Sequence, residues 1–169
     1  EKKDFYDSII WTSKGIILYA NRYADEAERM AKEEKDAKRA AELLKIAENC
    51  RKVPENGPEG FYEAIQFLWF TQIGGILSEN PLSLNPGRFD QYMFPYYEKD
   101  LAAGKITEDE AQELIEALWL KYSEWVWTIS ANTADYFAGY NQFQNLTVGG
   151  KKRDGHDGTN AITYMALKA

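Results

Sequence analysis

Residues 81–100 read PLSLNPGRFDQYMFPYYEKD, with three prolines, five aromatic rings and an Arg-Phe-Asp triplet in one short stretch. A segment that only connects favours Gly, Ser, Asn and Asp, because exposed ring area gains little and risks association. This composition therefore predicts the wall of something buried rather than a surface loop.

Working outward, the preceding stretch PENGPEGFYEAIQFLWFTQIGGILSEN places Pro58 where a first helical turn accepts it. Its inward stripe is Phe61, Ile65, Leu68, Trp69, Gln72, Ile73, Ile76 and Leu77, while Phe67 and Phe70 make the opposite side apolar too. A helix apolar on both sides is expected between layers, or against further protein. The adjacent Gly74-Gly75 weakens it and lets another backbone come close. On the other side, Thr107 to Glu110 spell a capping box, opening a helix whose stripe runs Ala111, Leu114, Ile115, Leu118, Tyr122, Trp125 and Val126.

Farther out, Tyr6, Ile9, Ile10, Ile16, Ile17, Ala20, Tyr23, Ala24, Ala27 and Met30 recur at helical spacing and predict one long amphipathic helix from Phe5 to Ala31. Asp36 is the N-cap expected for a second helix, with Ala40, Leu43, Leu44, Ala47 and Cys50 as its stripe and Pro54 as its end. The two should fold back as an antiparallel hairpin, the charge run from Glu26 to Lys38 forming its solvated face and turn. Beyond Thr128 the chain turns to Gly, Asn, Thr and aromatics, with NLTV the one convincing short strand. The ending AITYMALKA is an apolar helical pattern without a stop signal, which suggests a piece of a longer polypeptide.

Charge and composition narrow the classes of function. With 44% hydrophobic and 14% aromatic residues the 169-residue chain can fill one core. Twenty basic against twenty-seven acidic residues give a net charge of -7, which disfavours nucleic acid or an anionic membrane as partner. No apolar run approaches the roughly 20 residues of a membrane span. Cys50 is the sole cysteine, which excludes an internal disulfide and fits a cytoplasmic location.

Motifs for chemistry are sparse. A di-iron bundle needs Glu-x-x-His pairs, and the single histidine, His156, lies in the polar RDGHDG loop, so no metal site is expected. Cys50 sits on an amphipathic stripe and reads as a small core residue rather than a nucleophile. GGKKRDG lacks the spacing of a phosphate loop. The acidic group Glu108, Asp109, Glu110 and Glu113 suits a helix N-terminus without catalysis.

The segment LNPGRFDQYMFPYYEKDLAAGKITEDEAQELIEALWLK closely resembles the one that marks the pyruvate formate-lyase-like glycyl radical enzymes. KKDFYDSII, AENCRKVPENGPEGFYEAIQFLWF, FAGYNQFQNLTVGG and DGHDGTNAITYMAL resemble the same family in the same order. GRFDQYMFPYY, in place of the GRTST type of pyruvate formate-lyases proper, is similar to the dehydratase, decarboxylase and C–N lyase branch.

The resemblance implies a complete enzyme built as a ten-stranded α/β barrel of two parallel halves wrapped in helices. In such an enzyme a glycyl radical on a C-terminal loop, installed by a radical SAM activating enzyme, abstracts hydrogen from a cysteine inside the barrel. The resulting thiyl radical attacks a small-molecule substrate. Neither a GCxE-like cysteine loop nor an RVxGY glycine motif occurs in this sequence.

Residues 1–169 are therefore expected to be a single internal segment of the pyruvate formate-lyase-like domain, inactive alone, with no catalytic, cofactor or metal residue of its own. Its partners would be the rest of the parent barrel, the activase and a second copy in a homo-oligomer. Two alternatives are a segment of a formate C-acetyltransferase and a non-catalytic helical scaffold or interaction module.

By the same resemblance, Leu82, Ser83 and Leu84 stand at the substrate-pocket wall, and Phe137 and Phe143 match positions where aromatic rings flank the substrate. Rigid prolines and packed rings suit a site that must exclude water. Arg88 and Asp90 are expected in structural roles, as an ion pair or as caps, because an Arg beside such a loop commonly bonds backbone carbonyls. The expected architecture is mainly α: a helical hairpin, long buried helices and one or two short strands belonging to the parent barrel.

Overall fold

The computed structural model describes residues 1–81, 83–124, 130–137 and 144–169. The chain divides into two compact units, Glu1–Glu59 and Gly60–Ala169.

The first unit is a hairpin of α1 (Lys2–Glu33) and α2 (Ala37–Lys52). Asp36 caps α2 as its sequence promised, its carboxylate accepting from the Lys38 amide at 2.9 Å. The buried apolar positions are Ala20, Ala24 and Ala27 on α1 and Leu43, Ala47 and Cys50 on α2, with Asn49 buried beside them, and mostly small side chains let the helices approach. Arg51 reaches back from α2 to Asp25 (2.5 Å) and Glu28 (3.1 Å). This exposed pair fixes the turn-back more than it stabilises it, because solvent screens such contacts.

The inward stripe predicted for α1 is only partly used. Tyr6, Ile9, Ile10, Tyr23 and Met30 are exposed, together with Phe5 and Trp11. The reason is length: 32 residues make a helix of about 48 Å, against about 24 Å for the 16 residues of α2. The shorter helix leaves the N-terminal half of the longer one without a neighbour from its own hairpin.

The second unit runs α3 (Phe61–Glu79), β1 (Gly87–Arg88), α4 (Phe89–Ala102), α5 (Glu108–Ser123), α6 (Ala131–Phe137), β2 (Leu146–Thr147) and α7 (Ala161–Lys168). Phe61, Ile65, Phe89, Met93, Tyr97, Ile115, Leu118 and Ile162 form its core. Rings pack there, Phe61 edge-on with Tyr97 at 5.8 Å between centroids and Phe89 tilted against Trp119 at 5.3 Å. The Thr107–Glu110 capping box is present with both of its bonds. β1 and β2 pair in parallel, Gly87 opposite Leu146 and Arg88 opposite Thr147.

Three features differ from the sequence expectation. Residues 89–102 are a helix with Pro95 inside it, so only the part of the ring-rich stretch through β1 is non-helical and the rest is a core helix. α3 begins at Phe61 rather than near Pro58, because its first amide is capped from α4: Phe61 N–H donates to Asp100 Oδ2 at 2.7 Å. Leu77, placed on the inward stripe of α3, is exposed, whereas Phe70 on the opposite side is buried and Phe67 half-buried.

Candidate functional site

α3 ends on Asn80 in the left-handed conformation (φ 44°), which turns the chain into residues 83–86 and then β1. A series of polar side chains fastens this short segment. Gln72, buried in α3, donates its carboxamide to the Leu84 carbonyl at 2.6 Å. Ser83 Oγ donates to Asn85 Oδ1 at 2.7 Å, and the same oxygen accepts the Asn145 amide at 2.7 Å. Tyr92, one turn into α4, donates its hydroxyl to the Pro86 carbonyl at 2.8 Å. Gly75 makes room for the segment, since a Cβ there would lie 2.7 Å from Leu84 Cδ2.

Arg88 and Asp90 extend the fastening to the other strand. Arg88 Nη2 donates to the carbonyls of Gly149 and Lys151, both at 3.0 Å. Asp90 is fully buried, and its carboxylate accepts from the Gly149 amide (2.6 Å), the Thr163 hydroxyl (2.5 Å) and Gln91 Nε2 (3.0 Å). Its backbone carbonyl takes Asn160 Nδ2 at 3.2 Å. A buried carboxylate is tolerable here because several donors replace its water.

Ser83 and Leu84 thus lie half-buried on the strand entering β1, side by side with the strand entering β2. Leu82 and Phe143 lie outside the described residues. Phe137 closes α6, and its side chain is outside the described residues too. Sequence reasoning missed Asn85, Tyr92 and Asn145, whose bonds span two to 60 residues. Gln72 carried a usable signal, a carboxamide within an otherwise apolar stripe.

Next to the paired strands is a cavity of about 410 Å³ lined by Pro86, Leu146, Val148, Trp119, Tyr122 and Ala166, among others. Tyr122 Oη and Gln144 Oε1 are buried with no hydrogen-bond partner among the described residues. Burial holds the Tyr122 phenol well above its ordinary pKa, so it stays a neutral donor. Cys50 lies in the other unit, buried in α2, its thiol pushed up to about 11 by desolvation. His156 sits in an exposed loop beside Asp154. Among the described residues no His, Cys, Asp and Glu group could hold a metal ion, and no helix is long and apolar enough to cross a membrane.

The chain is 41% identical to isethionate sulfite-lyase of Nitratidesulfovibrio vulgaris over 171 aligned positions, covering all of this chain and 21% of that protein. It superposes with a TM-score of 0.88 and 49% identity on a structure concerned with 1,2-propanediol dehydration in Roseburia inulinivorans, covering 91% of this chain and 19% of that one. A glycyl radical enzyme from Archaeoglobus fulgidus gives a TM-score of 0.86 at 39% identity, over 92% of this chain and 20% of that one. The chain spans about a fifth of the length of the relatives it matches. The family model described as pyruvate formate lyase-like matches residues 1–169, and with these relatives among glycyl radical lyases and dehydratases it shows that the chain belongs to that family.

Proposed function

We propose that this chain is a segment of a glycyl radical dehydratase or lyase that contributes two adjacent barrel strands and part of the substrate-pocket wall. The observation that carries this reading is the parallel β1–β2 pair, with Ser83 and Leu84 leading into one strand and Asn145 into the other, all tied by side-chain hydrogen bonds. The segment's task is to position and to exclude water; Leu82, Phe137 and Phe143 would complete that wall. Cys50, buried in a helix with a raised pKa, is not the radical-bearing thiol, which would come with the radical glycine from elsewhere in a longer polypeptide. A radical SAM activase and a second copy of the enzyme are the partners such a polypeptide would have. The likeness to proteins of isethionate cleavage and propanediol dehydration favours this branch over formate acetyltransfer.

The test is the gene and its product. The reading frame should carry a cysteine loop and a glycine loop, and the anaerobically activated full-length protein should show a glycyl radical signal in electron paramagnetic resonance and consume a small hydroxylated substrate. A reading frame confined to this segment would instead favour the non-catalytic helical module.

A further inference from the structure

Gln72 and Gly75 stand one turn apart on the same face of α3, and both meet Leu84. The buried Gln72 carboxamide donates to the Leu84 carbonyl at 2.6 Å and so fixes the backbone at that point. The Leu84 side chain lies over the bare backbone of Gly75. A Cβ there would stand 2.7 Å from Leu84 Cδ2, about 1 Å inside the distance at which packed carbons rest. Two residues on, the Tyr92 hydroxyl donates to the Pro86 carbonyl at 2.8 Å, so the same segment is held from α4 as well.

Nothing in the backbone at position 75 calls for glycine. The residue lies inside α3 and has none of the left-handed torsion that favours glycine elsewhere in the chain. A helix interior prefers alanine, so the glycine weakens α3, and what it supplies in return is the seat for Leu84. A methyl group at this position could not be absorbed by a backbone pinned at the Leu84 and Pro86 carbonyls. The Leu84 side chain would have to swing off α3 instead.

We propose that Gly75 is a positioning residue acting through Leu84: it lets that side chain lie back on α3, and so sets how long a small diol the substrate pocket admits. Any side chain at position 75 pushes Leu84 forward and shortens the pocket. This rests on the reading that Leu84 stands at the pocket wall, and the experiment separates the two.

On the 169-residue chain, the seat is read by a double-mutant cycle in urea. In the parent, Gly75→Ala gains helix propensity and loses the Leu84 seat, so the two effects offset. In a Leu84→Ala background the obstruction is gone, and the same exchange should raise the folding equilibrium constant about fivefold. An equal effect in both backgrounds overturns the seat, whatever the enzyme does.

In the activated full-length protein, the probes are 1,2-propanediol and 1,2-butanediol, which differ by one methylene. Gly75→Ala should lower kcat/KM for the longer diol about tenfold more than for the shorter, chiefly through KM. Leu84→Ala added to it should return the ratio to the parent value or beyond. A loss equal for both diols would mean a purely structural residue and overturn the selection, as would a changed ratio that Leu84→Ala does not relieve. A parent that converts neither diol, with the urea cycle as expected, refutes the substrate class and the pocket assignment, and with them the selection, and leaves the seat standing.

Discussion

At the scale of single residues, two glycines sit under contacts of opposite consequence. At Gly60 a Cβ would fall 2.6 Å from Asp100 Oδ2, the atom that caps the Phe61 amide. Its φ of -131° suits any residue, so the cost is the cap, not the backbone. Gly60→Ala should lower the unfolding free energy by about 1–2 kcal/mol, measured by urea titration, and an unchanged midpoint would refute the remote cap. At Gly75 the obstructing atom is the flexible end of the Leu84 side chain, so Gly75→Ala should leave stability within about 1 kcal/mol while displacing Leu84. Asp90 is a stricter case. Asp90→Ala would orphan the buried Gly149 amide and the Thr163 hydroxyl, and a loss of roughly 3 kcal/mol is expected in the same titration.

At the scale of elements, legibility follows the range of the signal. α2 and α5 could be read because Asp36 and the Thr107–Glu110 pair cap from within a few residues. The start of α3 could not, since its cap comes from Asp100, 39 positions along the chain. α4 was obscured by Pro95, which local rules treat as a helix breaker and which the packed core overrides. The segment leading into β1 was legible only as ring-rich composition and family likeness: its fastening by Asn85, Arg88 and Asp90 runs across 59 to 63 residues, where no periodicity operates. The α5 cap also fixes a pH dependence. Hydrogen bonds from the Thr107 backbone and hydroxyl hold Glu110 below the ordinary 4.5, so its contribution to stability is present above that value and lost as pH falls through the lowered one. Glu110→Gln should flatten the acid limb of the melting temperature as pH falls below 4.5. An acid limb of unchanged slope would mean that other carboxylates carry it.

At the scale of the whole molecule, the chain's unsatisfied surface is not where its most apolar helix suggests. α3 buries Phe70, whereas α1 exposes Phe5, Tyr6, Ile9, Ile10 and Trp11 along its first turns. Contiguous apolar area of this kind is uncommon on a finished surface, and relatives about five times as long offer the polypeptide to cover it. Two consequences separate this explanation from simple tolerance of exposed side chains. In the 169-residue chain, the pair Ile9→Glu and Ile10→Glu should cut the binding of a hydrophobic dye by roughly half while helix content stays constant. In the full-length protein the same pair should cost several kcal/mol, roughly 3 or more, because two charges would then be buried without partners. Stability unaltered in the longer chain would show that α1 faces water there as well. Cys50 provides the companion measurement: with its thiol raised to about 11, it should resist alkylation at pH 8 until the α1–α2 hairpin opens, so its labelling rate reports whether the Glu exchanges disturb the hairpin or only its uncovered end.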